Sequence, residues 1–400
     1  TSAAYHADVA AFFKKWLREL EDSMTPEGYY PSYAPYPFGH GGAIHATAWS
    51  DAGVIVPWSI WRATGNPAFF THHWAAMTRY MEARKKHDPN LKGTAFGAPW
   101  GDWLNVDDPT PHEYIDLCYF AKICQQMAEM AEAQDLGDEA KRYREWLETL
   151  RTNFRANHLQ DNGSIDPSSQ SSYVLALDCE MLTDPAERKA AGDHLAALIR
   201  SKASADNTGM TTGFLGTKPL LPMLTATGHH DLALQLMQAR EYPSWGYEVV
   251  NGATTIWERW NSFTKEHGFG GADGGMNASM NSFSHYAFGA VTEWMMATLA
   301  GIAPAEPGYA KILLRPHFPS ADATDEAEPI SWVKAYHDCP HGRIAVSWNF
   351  DPDGILRYSC EVPPNTTAEL VLPEASPRTT KSPGWTTTHL QPGTHTFTIK

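Results

Sequence analysis

The strongest constraint on the fold is a helical spacing of apolar residues that continues through about the first 300 residues. Apolar side chains three and four positions apart line one face of an α-helix, so this spacing predicts a helix wherever it persists. Clusters of Gly, Pro and Asn, such as Met24-Thr-Pro-Glu-Gly28 and Asp161-Asn-Gly163, predict the turns of helical hairpins. The pattern indicates an all-α bundle or toroid, with helices over residues 5–21, 45–63, 68–85, 112–133, 136–155, 169–181, 185–202, a short pair within 213–240, and 279–300.

The pattern changes after Gly301. Four prolines between positions 304 and 319 and the acidic segment 322–328 predict a connector. Beyond it apolar and polar residues alternate, which is typical of half-buried strands, with turn residues between them. We therefore expect a helical domain over residues 1–302 and an antiparallel β-sandwich domain over residues 303–400, with strands at 330–336, 343–348, 356–362, 367–372 and 395–400.

Composition excludes several classes of function. With 42% hydrophobic and 19% charged residues over 400 positions, the chain has the composition of a globular protein with a large core. The formal net charge of −15 repels nucleic acid and anionic membrane surfaces, so neither is an expected partner, and a neutral or weakly charged ligand is favoured. The sequence contains no apolar run of 18 residues that could cross a membrane.

The cysteines predict free thiols and no metal site. They are odd in number and lack the C-x-x-C or Cys/His spacing of zinc ligands. Free thiols favour the cytoplasm, but the natural start of the chain is not evident and the compartment stays open. The five positions are Cys118, Cys124, Cys179, Cys339 and Cys360.

Aromatic residues make up 12% of the chain, and many of them lie beside Gly, Pro or Asp, where no helical face would bury them. Such residues suit stacking on carbohydrate rings, although large helical domains also use tryptophan to fill the core. The segment Gly252-Ala-Thr-Thr-Ile-Trp-Glu-Arg-Trp260 places Glu258 between two tryptophans and beside Arg259. Poor solvation at such a place would tune a carboxylate as an acid or base. Alternatively, the tryptophans fill a helix packing face and Glu258 forms a salt bridge.

This segment resembles the general-base segment of family 78 glycoside hydrolases, the inverting α-L-rhamnosidases. Residues 280–291, Met-Asn-Ser-Phe-Ser-His-Tyr-Ala-Phe-Gly-Ala-Val, are similar to the next signature of that family. Six matches in the family's order over about 240 residues make the resemblance specific. The four upstream matches are Ala48-Trp-Ser-Asp-Ala-Gly-Val-Ile-Val-Pro-Trp58, Gly101-Asp-Trp-Leu104, Thr212-Gly-Phe-Leu-Gly-Thr217 and Tyr242-Pro-Ser-Trp-Gly-Tyr247.

The resemblance implies a fold and a reaction. The fold is an (α/α)6 toroid, a ring of six helical hairpins, followed by a C-terminal β domain. The reaction is the hydrolysis of terminal non-reducing α-L-rhamnose from glycosides or oligosaccharides, without a cofactor or metal. An inverting glycosidase uses a carboxylic acid and a carboxylate base about 6.5–9.5 Å apart. Glu258 matches the position of the family's base.

The resemblance also implies which side chains surround the sugar. His285 matches the histidine after the base and would donate to a rhamnose hydroxyl. Trp49 and Trp103 match subsite tryptophans that would face the apolar C5-methyl side. For each of these residues a place in the core is the alternative. Further substrate-binding candidates are Asp51, Asp102, Trp245 and Trp260, although Asp102 could instead cap a turn and Trp245 could pack in an aromatic corner.

The general acid poses a separate question. In the family it belongs to an upstream segment that opens with Asp-Cys-Pro, and residues 1–16 resemble the stretch directly C-terminal to that segment. We therefore expect the sequence to begin about a dozen residues after the acid, and we interpret the Asp-Cys-Pro at 338–340 as a chance match. Three explanations stay open: the acid-bearing portion is absent or lies in another chain, Asp51 or Asp102 replaces the acid, or the chain binds sugar without turnover.

A ring short of one or two helices would leave an apolar groove beside the N-terminal helix. We therefore expect either a second polypeptide in that groove or incomplete burial of the apolar residues nearby. These residues are Ala3, Val9, Phe12 and Phe13.

Two other reaction classes are not expected. A toroid lyase would need a Tyr/His/Arg centre, but His285 and Tyr286 are adjacent, and on the predicted helix their side chains would point about 100° apart. Metal-dependent hydrolysis would need ligand spacing, whereas the paired histidines at 72–73 and 229–230 diverge on a helix.

Overall fold

The helices of the chain lie in its first three quarters. The computed structural model describes residues 2–37, 44–266, 268–269, 281–320, 330–380 and 383–400. A 3₁₀ turn at Ser2–Tyr5 precedes the first helix. The helices are α1 (Ala10–Asp22), α2 (Ala52–Thr64), α3 (Ala68–Thr71), α4 (Trp74–His87), α5 (His112–Glu132), α6 (Gly137–His158), α7 (Gln170–Asp178), α8 (Pro185–Lys202), α9 (Phe214–Ala226), α10 (His230–Gln238), α11 (Trp245–Val250) and α12 (Val291–Trp294), which continues as a π-helical turn over Met295–Leu299.

Helices α5 to α8 alternate in how much of their surface they bury. Helix α5 buries 14 of its 21 residues, whereas α6, which packs against it, buries 5 of 22. Helix α7 buries eight of nine residues and its neighbour α8 buries 5 of 18. A helix that is buried all round lies inside a domain, and a helix with one apolar stripe covers it from outside. The alternation fits the predicted ring of helical hairpins.

The strands form a short hairpin and two four-stranded sheets. The hairpin pairs β1 (Phe263–Thr264) with β2 (Gly268–Phe269). One sheet has the order β10-β7-β6-β5 and is antiparallel throughout, and the other has the order β3-β4-β8-β9, in which β4 and β8 are parallel. The remaining strands are β3 (Ile302–Pro304), β4 (Lys311–Leu314), β5 (Trp332–Cys339), β6 (Gly342–Phe350), β7 (Leu356–Val362), β8 (Thr367–Pro373), β9 (Trp385–Leu390) and β10 (Gly393–Ile399).

The sandwich matches the sequence prediction in five strands and differs in three. Alternating burial along β7, with Leu356, Tyr358, Cys360 and Val362 inside, shows why the two-residue period identified such strands. Strands β3, β4 and β9 were not predicted, and the predicted connector is wrong over β3 and β4, which form half of one sheet. The acidic segment 322–328 lies outside the described residues. The division after residue 302 stays a prediction, and β3 crosses it.

The helical and β parts are joined by buried hydrogen bonds. Trp348 on β6 donates its indole N–H to the carbonyl of Leu299, at the end of the helical part (2.8 Å). The Tyr5 hydroxyl donates to the carbonyl of Ile302 (2.9 Å). Because the partners are buried or partly buried, each of these hydrogen bonds replaces a hydrogen bond to water that the group loses on folding.

Two glycines allow the backbones to meet at a second point of this junction. Gly65 ends α2 with φ of 71°, and Gly308 has φ of 70°. A Cβ on Gly308 would lie 2.7 Å from the Cα of Gly65, closer than real Cβ contacts allow. Both the left-handed conformation and the close approach therefore require glycine at 308.

The N-terminal helix leaves apolar side chains uncovered, as expected. Phe12 is 63% exposed, Ala3 is exposed, and Val9 and Phe13 are only partly buried. Leu17 and Leu20, one turn further along α1, are buried.

The last predicted helix is shorter than the apolar spacing suggests. Residues 281–287 are not helical, and helical structure begins with a 3₁₀ turn at Phe288–Ala290. Residues 245–250, which were not among the predicted helices, form helix α11. In the part of the chain that the structure describes, no helix is both long and apolar enough to cross a membrane.

A pair of histidines lies at the junction, where α10 meets the segment after β4. The rings of His230 and His317 are 5.5 Å apart, and neither His230 Nε2 nor His317 Nδ1, both buried, has a hydrogen-bond partner in the described part of the chain. Burial lowers the pKa of His230 to about 3 and that of His317 to about 4. Both histidines are therefore neutral in the folded protein at neutral pH.

We predict that acid weakens the fold through this pair. The unfolded chain binds these protons near pH 6.5 and the folded chain does not, so unfolding free energy should fall as the pH drops from 6.5 towards 4. The slope should be up to about 1.4 kcal/mol per pH unit for each histidine. Urea unfolding between pH 4 and pH 7 would measure it, and a His317→Gln variant with an unchanged slope would contradict the assignment.

Candidate active site

Glu258 lies on an irregular segment that is hydrogen-bonded to a second segment around Ser282. The Glu258 N–H donates to the Ser282 carbonyl (2.9 Å), and the Ser282 N–H donates to Glu258 Oε2 (2.8 Å). Three residues after Ser282, the His285 N–H donates to the carbonyl of Ile256, two residues before Glu258 (2.9 Å). These bonds hold Glu258 by both its backbone and its side chain.

The Glu258 carboxylate has one oxygen held and one available. It is half-buried, and Oε2 accepts the Ser282 N–H. Among the described residues no donor is bonded to Oε1. A carboxylate with one restrained oxygen and one oxygen open to a water has the geometry that a general base requires.

His285 completes an aromatic stack beside this carboxylate. Its ring lies 5.0 Å from that of Phe214 and 5.4 Å from that of Tyr286, nearly parallel to the latter at 10°. Burial lowers the pKa of His285, and the Glu258 carboxylate partly offsets this. The two predicted residues are thus close enough to interact. The expected divergence of His285 and Tyr286 is wrong, because this segment is not helical and the rings stack.

Trp260 and Trp245 lie behind the site, not on its surface. Trp260 is 2% exposed and stacks on Phe288 with ring centroids 3.9 Å apart. Trp245 is 9% exposed, packs edge-on against Trp260 and donates its N–H to the Phe288 carbonyl (2.8 Å). Neither ring presents a face on which a sugar could stack, which corrects the expectation that they contact substrate. Trp257 is also buried, although the segment is not a helix.

Asp102 caps a helix. It is 2% exposed, and its Oδ1 accepts the N–H groups of Leu215 (2.8 Å) and Gly216 (3.1 Å). Its Oδ2 accepts the N–H of Gly213 (2.7 Å) and the hydroxyl of Ser171. Burial raises the pKa of Asp102, and these four bonds counteract the shift. Asp102 therefore accepts the N–H groups at the start of α9 and has no oxygen left to bind a sugar. This corrects its assignment as a substrate-binding residue and as a replacement for the general acid.

Asp51 belongs to a buried ion network. It is 0% exposed, and its Oδ1 accepts from Arg84 (2.7 Å) and from the Tyr80 hydroxyl (2.7 Å). Its Oδ2 accepts the Ala48 N–H (2.7 Å), and Arg84 also pairs with Asp116 (2.6 Å). Asp51 is therefore out of reach of a substrate, and its assignment as a substrate ligand or acid is also corrected.

The two remaining tryptophans are partly exposed. Trp103 is joined to the His285 stack through Phe214, whose N–H donates to the Trp103 carbonyl (2.9 Å). Trp49 lies in a separate aromatic pair, edge-to-face with Trp100 at 5.1 Å. Of the predicted residues, the described contacts thus bring Glu258 and His285 together. Trp103 is connected to His285 through Phe214.

Sequence reasoning missed Glu248 on α11. It is 2% exposed, and its Oε2 accepts the N–H of Trp257, the residue before Glu258 (3.2 Å). The signal in the sequence was a glutamate followed by two valines, with no Lys or Arg from position 244 to 252. Such a carboxyl has no local cation to pair with.

Comparison with known proteins decides the family. Residues 1–299 match the model of the bacterial alpha-L-rhamnosidase 6 hairpin glycosidase domain, and residues 301–387 match the bacterial alpha-L-rhamnosidase C-terminal domain. The chain belongs to the bacterial α-L-rhamnosidase family. The predicted family 78 resemblance and the six-hairpin toroid with a C-terminal β-sandwich are confirmed.

Individual rhamnosidases match over nearly the whole chain. An alpha-L-rhamnosidase of Streptomyces avermitilis is 38% identical over 376 residues, which is 94% of this chain and 34% of that protein. The structure of Streptomyces avermitilis alpha-L-rhamnosidase complexed with L-rhamnose superposes with a TM-score of 0.87 at 37% identity, over 100% of this chain and 37% of that one. The native Aspergillus terreus enzyme superposes with a TM-score of 0.86 at 25% identity, over 100% and 44%. The chain thus spans less than half the length of these rhamnosidases.

All five cysteines are free thiols, and four are buried. Among the described residues, no three His, Cys, Asp or Glu side chains are grouped so that they could hold a metal ion.

We predict that Arg84→Ala destabilises the fold strongly. The change leaves Asp51 and Asp116 as buried charges without a cation, which should cost about 3–5 kcal/mol of unfolding free energy. Arg155→Ala is the matched control, because Arg155 pairs with Glu187 at the surface (2.5 Å) and should cost at most about 1 kcal/mol. Urea unfolding measures both, and equal losses would contradict the structural role of Asp51.

Proposed function

We propose that this chain carries the catalytic machinery for hydrolysing terminal non-reducing α-L-rhamnose residues with inversion, and that Glu258 is the general base. The observation that carries the proposal is the Glu258 carboxylate beside His285, fixed by Ser282 through Oε2 and with no donor on Oε1 among the described residues. It occurs in a rhamnosidase fold whose Streptomyces relative binds L-rhamnose. The substrate is then a rhamnosylated glycoside or oligosaccharide.

In the proposed reaction, Glu258 Oε1 accepts a proton from a water as the water oxygen attacks C1 of the rhamnose. The attack comes from the face opposite the glycosidic oxygen, so the configuration at C1 inverts. A general acid gives its proton to the leaving oxygen at the same time. The acid stands about 6.5–9.5 Å from the base in enzymes of this kind.

The surrounding side chains bind and orient the sugar in this proposal. A neutral His285 can donate from one ring nitrogen to a rhamnose hydroxyl, and burial favours its neutral form. Trp103 and Trp49 are the partly exposed tryptophans that would meet the apolar methyl side of the 6-deoxy sugar. Trp245 and Trp260 support the site from behind.

A second candidate function is rhamnose binding without turnover by this chain alone. The observation that favours it is the internal bonding of Asp51 and Asp102, the two carboxylates proposed as substitutes for the acid. Purified chain incubated with p-nitrophenyl α-L-rhamnoside, and titrated separately with L-rhamnose, distinguishes the two. Turnover supports the first proposal, binding without turnover supports the second, and neither activity contradicts both.

We predict that Glu258→Gln lowers kcat at least about 100-fold while rhamnose affinity stays within about tenfold. The amide keeps the shape of the side chain but cannot accept a proton from water. Assays on p-nitrophenyl α-L-rhamnoside with an active form of the protein measure kcat. Glu293→Gln on α12 is the matched control and should leave kcat unchanged. A loss of less than about tenfold for Glu258→Gln would remove it from the role of base.

We predict that His285→Ala and Trp49→Ala each weaken rhamnose binding by about 1–3 kcal/mol, through a lost hydrogen bond or stacking face. Calorimetric titration with free L-rhamnose measures the change. His229→Ala is the control, because this histidine pairs with Asp193 at the surface (2.8 Å). Unchanged affinity in both test variants would assign these side chains to packing.

A further inference from the structure

Glu248 is tied to both ends of the turn that leads to Glu258. Its carbonyl accepts the N–H groups of Asn251 (3.1 Å) and Ala253 (3.0 Å), where the turn begins. Its Oε2 accepts the N–H of Trp257, where the turn ends (3.2 Å). One residue therefore fixes the start and the end of this segment.

The Glu248 carboxyl lies in an uncharged environment. It is 2% exposed, and Oε1 is buried and has no hydrogen-bond partner among the described residues. The charged residues on the neighbouring segments are Asp231, Arg240, Glu241, Glu258 and Arg259. Of the factors that shift the Glu248 pKa, none is a charged neighbour. A buried carboxyl without a cation is neutral at moderate pH, because burying an unpaired charge costs far more free energy than binding a proton. Burial accordingly raises the pKa of Glu248 to about 8, with only the Trp257 N–H opposing the shift.

The N–H groups of the successive residues Trp257 and Glu258 are hydrogen-bonded to different partners. Glu248 holds the N–H of Trp257, and the Ser282 carbonyl holds the N–H of Glu258. The Trp257 side chain is itself buried, against Phe263 and Phe283. Loss of the first hydrogen bond would free the Ile256–Trp257 peptide, which lies one residue before Glu258.

We propose that Glu248 is a positioning residue which, as an uncharged carboxylic acid, holds the Trp257 peptide and thereby sets the place of Glu258. The effect on catalysis rests on the proposed role of Glu258 as base, whereas the hydrogen bond from the Trp257 N–H to Glu248 does not depend on that role. Ionisation of Glu248 puts an unpaired charge in the interior, so alkaline pH loosens this turn and moves Glu258.

The neutral state is tested by stability against pH. The folded protein binds a proton at Glu248 up to about pH 8, whereas the unfolded chain releases it near pH 4.5, so its contribution to stability is complete below 4.5 and is lost as the pH rises to 8. Glu248→Gln is neutral throughout. Its Tm relative to the parent should therefore rise by at least about 2 °C between pH 4.5 and pH 8. Glu241→Gln, at an exposed carboxylate, should show no such rise.

Hydrogen exchange of the peptide that spans residues 252–258 tests the hydrogen bond from the Trp257 N–H to Glu248. Glu248→Gln keeps an acceptor for the Trp257 N–H and should keep protection, whereas Glu248→Leu removes it and should speed exchange at least about tenfold. Should the Leu variant fail to fold, Glu248→Met with the same readout replaces it. Unchanged exchange in the apolar variant, or no pH-dependent Tm gain in the Gln variant, would overturn the proposal.

Activity separates this proposal from that for Glu258. With an active form of the protein, Glu248→Leu should lower kcat at least about tenfold with little change in KM, and Glu248→Gln should lower it less than about threefold and preserve activity at alkaline pH. Combined with Glu258→Gln, the Leu change should cause no further loss. Full activity of Glu258→Gln would contradict the base assignment alone, whereas additive losses would contradict positioning by Glu248.

Discussion

The reciprocal hydrogen bonds between Glu258 and Ser282 are the interaction on which the proposed chemistry depends. They join two segments that are distant in sequence and belong to no regular helix or sheet, so no local preference of either segment would place the carboxylate. Residues 281–287, on the Ser282 side of this pairing, are not helical, and the His285 ring lies against Phe214. The proposed base, His285 and its aromatic neighbours thus lie together where the two segments meet.

Other carboxylates of this domain show how burial decides the role of an acidic residue. Asp51 and Asp102 are saturated by internal donors, and they stabilise a buried arginine and a helix start respectively. Glu248 has a single donor and no cation, so its carboxyl is neutral in the fold. Glu258 is half-exposed and keeps an oxygen for water. The four acidic side chains thus differ in their solvation and in the number of their donors, and these differences underlie the roles proposed for Glu248 and Glu258.

Much of the fold could be predicted from the sequence because long elements carry their own signal. The apolar spacing located α5 and α8 within a residue or two, and the two-residue alternation located β7. The missed elements are short or depend on distant partners: α11 has six residues, and β9 is largely Thr and pairs only through β8. For the site, the family motifs predicted Glu258 and His285, which lie beside each other in the structure, whereas other predicted residues of the same motifs are buried. A motif reports residue type and order, whereas burial depends on packing between segments.

A crystal structure of the chain with L-rhamnose bound is the most direct test of this account. We expect the sugar beside Glu258 and His285, with a Glu258 oxygen within hydrogen-bond distance, about 2.6–3.2 Å, of a water facing C1 or of the C1 hydroxyl. The carboxylates of Asp51 and Asp102 should keep their present partners. Rhamnose bound elsewhere, or bound directly to Asp51 or Asp102, would contradict the account.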